Sequence, residues 1–161
     1  MLLRFGLTSA AALSFVLFAG CGADPTTGTA FAPPAGWTQT PGILGFKMWI
    51  DPTKGSNQVV MLVKLPNKSK IDIQKDVDLS SNPAFHGGSV TKQSKIMICG
   101  NHPADYLLAH DDGKNGKDAG DAEIILTNWG QDAYMAMYAR SNGGKLNPEA
   151  EAAIRTICVK T

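Results

Sequence analysis

The chain has 161 residues with 15 basic and 14 acidic side chains, a length that fits one domain together with an export signal. Arg4 is the only charged residue in residues 1–20, so removal of that segment leaves 14 side chains of each sign. Phosphate recognition draws on clustered Lys and Arg. A mature chain without net charge therefore argues against nucleic acid as a partner.

Residues 1–20 have the pattern of an export signal. Arg4 supplies a positive charge, the run Phe5–Phe18 is mostly apolar, and small residues precede Cys21. Such a run is too short to span a bilayer and is typical of a cleaved signal peptide. The segment 17–21 resembles the lipobox of bacterial lipoproteins, with Phe18 where leucine is usual.

The lipobox resemblance implies cleavage before Cys21, which becomes an acylated N-terminus and the residue that holds the protein on a membrane. Two or more acyl chains provide stable attachment. Because Gly22 rather than aspartate follows, the resemblance implies the periplasmic face of the outer membrane in a Gram-negative cell, and otherwise the outer face of the cytoplasmic membrane. The alternatives are an ordinary secretory signal that leaves Cys21 as a free thiol, and an uncleaved anchor.

Composition divides the mature chain into two parts. Residues 21–36 are rich in Gly, Ala, Pro and Thr, which predicts a flexible tether with a reach of roughly 20 Å. Residues 37–161 carry the large apolar side chains and are expected to form a single domain.

Strand periodicity recurs along this domain. The run Val59–Val63 is apolar on both faces and predicts a central strand, whereas Val90–Cys99 predicts a strand whose first half is exposed. In the last strand, Met135 and Met137 lie on one face and Tyr134 and Tyr138 on the other. The remaining strand segments begin or centre on Phe46–Ile50, Ala104–Ala109 and Ile124–Leu126.

Two helices complete the predicted fold. Asn147 is a good cap, Pro148 suits the first helical position, and Ala150, Ala153, Ile154, Ile157 and Cys158 fall on one helical stripe. Residues 69–81 fit both a short helix and a strand, and the helix is favoured. We therefore expect an α+β domain in which a C-terminal helix and one further helix pack on an antiparallel sheet of about five to six strands.

This arrangement resembles the PsbP-like family, an antiparallel sheet with helices laid against it. The resemblance rests on Pro34–Trp37, Phe46–Asp51, the strand Ile96–Cys99 with the following Pro103–Tyr106, and the helix from Pro148. It covers about residues 33–160 and implies a layered sandwich without implying any catalytic residues.

Cys99 and Cys158 are the remaining cysteines, and in an exported chain the default is a disulfide. The sharper alternative is a metal site in which His102 and His110 join the two cysteines. The acidic loop from Asp111 partly matches a calcium loop, but Gly113 and Ala122 stand where acidic ligands belong. We therefore predict a Cys99–Cys158 disulfide, with no metal and no cofactor.

The histidines give the best candidates for catalysis. His86 lies near Ser80, Ser81 and Ser89, and His110 lies beside Asp105, Asp111 and Asp112, but neither group has the fixed spacing of a nucleophile motif. Both clusters are ordinary loop and strand-end composition. A hydrolase centred on His86 or His110 is thus the third function hypothesis.

The preferred hypothesis is a membrane-anchored envelope lipoprotein that acts as a non-catalytic binding, accessory or assembly module for an unidentified envelope protein. The second is a lipoprotein that binds a small ligand in a pocket between helix and sheet, lined by Trp129, Tyr134 and Tyr138. A concave apolar cavity would favour the second hypothesis, and a histidine close to a serine and an aspartate would favour the third.

Overall fold

The structure is a computed structural model that describes residues 24–43, 46–70, 89–111, 119–141 and 145–160. Seven strands form one antiparallel sheet in the order β1-β2-β3-β7-β6-β5-β4. They are β1 (Thr38–Ile43), β2 (Phe46–Ile50), β3 (Val59–Leu65), β4 (Ser89–Ile98), β5 (His102–Asp111), β6 (Gly120–Trp129) and β7 (Asp132–Ser141). The sheet therefore ends in β1 on one side and β4 on the other.

The helix α1 (Pro148–Ile154) begins as the sequence predicts. The Asn147 side chain accepts hydrogen bonds from the backbone N–H groups of Glu149, at 2.9 Å, and Ala150, at 3.3 Å. These bonds satisfy two of the donors that a helix start leaves without partners. Alanine and isoleucine side chains of α1 are buried against β3, β6 and β7.

The two faces of the sheet carry separate apolar clusters. We call the side on which α1 packs the helix face; its buried residues include Trp49, Leu62, Ile125 and Tyr138. The opposite side, the methionine face, buries Met61, Val63, Leu107, Ile124, Leu126, Met135 and Met137. The predicted division of β7 into a tyrosine face and a methionine face is confirmed. So is the burial of β3 on both sides.

The predicted α+β layered sandwich is wrong. The described residues form seven strands and one helix of only seven residues, instead of five to six strands with two helices. Strand β1 is absent from the prediction because Pro41 and Gly42 interrupt its pattern, although proline is tolerated on an edge strand. Residues 71–88, which hold most of the second predicted helix, lie outside the described residues.

The helix is shorter than expected and ends in a tight turn at Arg155 and Thr156. The Thr156 hydroxyl donates to the Ala153 carbonyl at 2.7 Å, and the Thr156 backbone N–H donates to the same oxygen at 3.0 Å. A longer helix would offer this carbonyl to Ile157 instead. Cys158 therefore lies beyond the helix in an extended segment, and not on a helical stripe as its spacing suggested.

The segment assigned to the flexible tether is packed on the domain from Asp24 onward. Thr29 forms an isolated antiparallel bridge with Val159, and the Phe31 ring lies 5.2 Å from the Trp49 ring. A composition of Gly, Pro and Thr does not reveal such contacts, because the partners are residues distant in sequence. Among the described residues, no helix is long and apolar enough to cross a bilayer.

Candidate functional site

Strand β4 is the most accessible long element of the sheet. Seven of its ten residues are exposed, and it pairs only with β5 in the described sheet. Two of the three large hydrophobic residues that the described chain exposes, Val90 at 37% and Met97 at 67%, lie on this strand. A long edge strand presents backbone donors and acceptors for pairing with another chain. We therefore treat the β4 edge as the candidate interaction surface.

A row of polar side chains runs inward from this edge across four strands. Ser89 on β4 is the cross-strand partner of His110, His110 of Asp121, and Asp121 of Arg140. His110 Nδ1 lies 2.8 Å from Asp121 Oδ1, and Arg140 donates to Asp121 Oδ2 at 3.2 Å. Directly opposite residues share a face of the sheet. The register thus places a serine, a histidine and an aspartate in one line.

A second polar pair lies one step further along the same face. Glu123 is only 5% exposed, and its carboxylate accepts a hydrogen bond from the Tyr106 hydroxyl at 3.0 Å. The Arg140 guanidinium lies 3.7 Å from the same carboxylate. Burial, together with this bond to Glu123, raises the pKa of Tyr106 to about 12. The phenol stays protonated at physiological pH and acts as a donor. Glu123 is thus a buried, compensated carboxylate.

The backbone explains how these side chains come so close. A Cβ atom at Gly120, the first residue of β6, would meet the Arg140 carbonyl oxygen at 2.8 Å. Glycine allows β6 and β7 to approach there, next to the pair formed by Asp121 and Arg140. A larger residue at position 120 would therefore disturb the start of the polar row.

The three residues predicted to line a ligand pocket lie in or against the helix-face cluster. Tyr138 is fully buried, and its hydroxyl donates to Gln58 Oε1 at 2.6 Å and accepts from the Asn147 backbone N–H at 3.1 Å. Tyr134 is 3% exposed. Trp129 is half-buried, with its ring stacked 3.6 Å from the His102 ring. A pocket formed by these side chains stays a prediction.

The remaining predicted site residues fall into three groups. Cys99 and Cys158 are joined by a disulfide, with their Cα atoms 5.2 Å apart, as the sequence predicts. His102 is stacked on Trp129, and its Nε2 lies 2.7 Å from the Asn128 carbonyl. Cys21, His86, Ser80 and Ser81 lie outside the described residues, whereas Ser89 is the first residue of β4.

Three charged residues of this site were absent from the predictions. Asp121, Glu123 and Arg140 belong to β6 and β7, and pairing across these strands brings them together. The sequence signal was the alternation of Asp121 and Glu123 on one face of a strand, but nothing in it shows which strand supplies the cation. His110 contacts Asp121 rather than standing only with the acids beside it in sequence.

Comparisons with known proteins inform the fold alone. No protein-family model matches the chain, and no curated protein matches it. A crystal structure from Bacteroides thetaiotaomicron VPI-5482, at 1.50 Å resolution, is similar with a TM-score of 0.58 and 13% identity. The similarity covers 88% of this chain and 50% of that one, so this chain spans about half of that protein's length. The PsbP-like resemblance stays a prediction.

Proposed function

We propose that the protein is a membrane-anchored envelope lipoprotein whose domain binds a partner protein and performs no chemistry of its own. The observation that supports this most directly is the β4 edge, which is long, exposed and carries two exposed hydrophobic side chains. Addition of a strand to such an edge is a recurrent mode of peptide recognition. The lipobox-like segment before Cys21 supports the location.

The charges of β4 favour a partner other than a second copy. In antiparallel self-pairing centred on Lys92 or on Lys95, that lysine lies directly opposite the same lysine of the second copy. Like charges directly opposite each other destabilise a strand pair, and lysines on edge strands are a common protection against self-association. An extended segment with acidic side chains therefore fits this edge better than β4 itself.

Site-specific photocrosslinking tests the proposed surface. A photoreactive amino acid replaces Gln93 on β4 in the acylated protein, and the matched control carries it at Gln39, an exposed glutamine on β1. We expect a discrete adduct from position 93 in native membranes and none from position 39. Equal labelling from both positions would contradict a specific β4 surface.

Proline substitutions sharpen this test. Successive backbone N–H groups of a strand point to opposite sides, one toward the neighbouring strand and the next away from it. One of the two variants Gln93→Pro and Ser94→Pro therefore removes a hydrogen bond to β5, and the other removes a donor that points outward from the sheet edge. The variant that keeps the bond to β5 should be the more thermally stable of the two. We expect this variant to lose the adduct that a photoreactive probe at Thr91 forms. An undiminished adduct in that variant would mean that the partner binds without backbone pairing.

A hydrolase centred on His110 is the second candidate, because a specific contact favours it. His110 Nδ1 is bound to Asp121, and Ser89 is the partner of His110 on the other side. That order of serine, histidine and acid matches the roles of nucleophile, base and orienting group. However, Arg140 also binds the Asp121 carboxylate, and its positive charge partly compensates the negative charge that faces the His110 imidazole.

A fluorophosphonate probe separates the two candidates. Labelling of wild-type protein that is lost in Ser89→Ala and in His110→Ala would establish an activated serine. We expect no labelling, and unchanged adduct formation at β4 in His110→Ala.

A further inference from the structure

The start of the described chain is fixed to the domain by charged and polar contacts. We call residues 24–32 the N-terminal strap. Lys47 on β2 binds Asp24 Oδ2 at 2.6 Å and donates to the Thr26 hydroxyl at 2.9 Å. The bond to Lys47, with those to Thr26, lowers the pKa of Asp24 to about 2. Asp24 is therefore ionised and paired at neutral pH.

The middle of the strap is paired with the C-terminal segment. The Ala30 N–H donates to the Cys158 carbonyl, and the Lys160 N–H donates to the Gly28 carbonyl, both at 2.7 Å. The Ala32 N–H donates to the Thr156 hydroxyl at 2.9 Å. Because Cys158 is joined to Cys99, the strap is fastened to a segment that is itself covalently linked to the end of β4.

Apolar contacts add to these bonds. Pro25 is fully buried, Pro34 is also buried, and Phe31 packs beside Trp49. Pro25 restricts the conformations of the unfolded strap, and Pro34 those of the residues that follow it, so both lower the entropy that docking costs. The strap is therefore part of the domain and not a free linker.

Chain geometry now limits the distance between the domain and the anchor. Cys21 precedes Asp24 by three residues, and a chain spans at most about 3.6 Å per residue, or about 11 Å in total. A free tether over residues 21–36 would instead allow the domain to tumble at a distance of roughly 20 Å. An acyl chain on Cys21 thus brings Asp24 to the headgroup region of the bilayer.

We propose that the surface around Asp24 and Lys47 is the membrane-facing side of the domain and that the strap fixes the orientation of the domain on the bilayer. This inference rests on the proposed lipid anchor. Strand β4 lies five strand positions from β2, which is about 24 Å at the usual strand spacing. The first half of β4, with Thr91 and Gln93, is therefore kept away from the anchored side, whereas the end of β4 is joined through Cys99 and Cys158 to the segment that pairs with the strap.

Paramagnetic broadening tests the orientation. Acylated full-length protein is placed in nanodiscs that contain a headgroup-labelled nitroxide lipid, and amide signals are compared with those in unlabelled nanodiscs. We expect the amides of Asp24, Thr26 and Lys47 to broaden at least threefold more than those of Thr91 and Gln93. The matched control inserts a Gly/Ser segment of about ten residues between Ala23 and Asp24, and we expect it to remove the difference.

The outcomes separate this inference from the proposed anchor. Mass spectrometry first shows whether Cys21 carries acyl chains, and an unacylated Cys21 would overturn the anchor and the orientation together. If Cys21 is acylated but the amide signals of wild type and of the insertion variant broaden to the same extent, only the orientation is overturned. Hydrogen exchange on soluble Cys21→Ser protein tests the strap without lipid: slow exchange of the Ala30 and Lys160 amides is expected, and exchange at unprotected rates would overturn the fixed strap.

Discussion

The two edges of the sheet are built in opposite ways. Strand β1 has six residues, contains Pro41 and loses regular register between Thr40 and Ile43. Strand β4 has ten residues and no proline, with one register shift between Val90 and Lys92. Proline and short length close an edge to further strands. The comparison indicates that β1 terminates the sheet and that, among the described residues, β4 is left open.

The fastening of the two sides also differs. Beside β1, strand β2 is held by the strap through Lys47 and through the contact between Phe31 and Trp49. At the β4 end of the sheet, the disulfide joins Cys99 to the C-terminal segment. The β2 side therefore depends on packing and an ion pair, and the β4 side on a covalent link. Substitutions can test each of these separately.

The largest effect is expected on the β2 side. Trp49 is 4% exposed and packs against Phe31, so Trp49→Ala should lower the free energy of unfolding by about 3–5 kcal/mol. Met97 on β4 is 67% exposed, and Met97→Ala should change it by less than about 0.5 kcal/mol. Urea denaturation measures both. Equal losses would contradict the difference between the two sides, because β4 would then be packed as firmly as β2.

The next effect concerns the disulfide. Cys99 and Cys158 are separated by 59 residues, and Cys158→Ala should lower the free energy of unfolding by about 2–5 kcal/mol. Peptide mapping of unreduced protein should find the two cysteine fragments linked. Two freely alkylated thiols in protein isolated from the envelope would disprove the covalent fastening of β4.

The centre of the sheet provides a reference between the edges. Tyr138→Phe removes a buried hydroxyl that contacts Gln58 and the Asn147 backbone. The loss should be about 1–3 kcal/mol, because the buried Gln58 amide and the half-buried Asn147 N–H are left without this partner. A double-mutant cycle with Gln58→Leu should show coupling between the two side chains. Additive losses would mean that the hydrogen bond contributes little.

Self-association sharpens the contrast between the open and the closed edge. Lys92→Thr removes the like charges that face each other in a pair of β4 strands centred on position 92, and it leaves the Lys95–Asp105 ion pair intact. We expect concentration-dependent dimers by sedimentation velocity and a stability change within about 0.5 kcal/mol. Gln39→Thr on β1 is the control and should remain monomeric. Dimerisation of both variants would remove the distinction between the edges.

The smallest effect is the acid sensitivity of the strap. Since the pKa of Asp24 falls from 3.8 to about 2 in the folded chain, its stabilising effect is full above pH 3.8 and lost as the pH falls to 2. The Thr26 amide, which donates to Asp24 Oδ1 at 2.9 Å, should shift in NMR spectra over this range. Asp24→Asn should abolish that titration. A midpoint near 3.8 in wild-type protein would show that the strap is not held by Lys47.

Local patterns were enough for several elements. The alternation of Tyr134 and Met135 assigned the two faces of β7, and Asn147 with Pro148 located the start of α1, because side-chain direction and helix capping depend on neighbours in sequence. The disulfide followed from the two cysteines that remain after the export signal. These inferences need no knowledge of the sheet order.

Tertiary structure alone decided the rest. The polar row from Ser89 to Arg140 depends on the register of four strands, and the docking of Asp24 on Lys47 joins residues 23 positions apart. A tight turn at Arg155 and Thr156 ends the helix before Ile157 and Cys158, and Pro41 interrupts the pattern of an edge strand. Residue identity alone shows which side chains are apolar, which can cap a helix and which can form a disulfide. Pairing between distant strands decided which edge stays open, because backbone hydrogen bonds form between any suitably placed strands and leave little mark on composition.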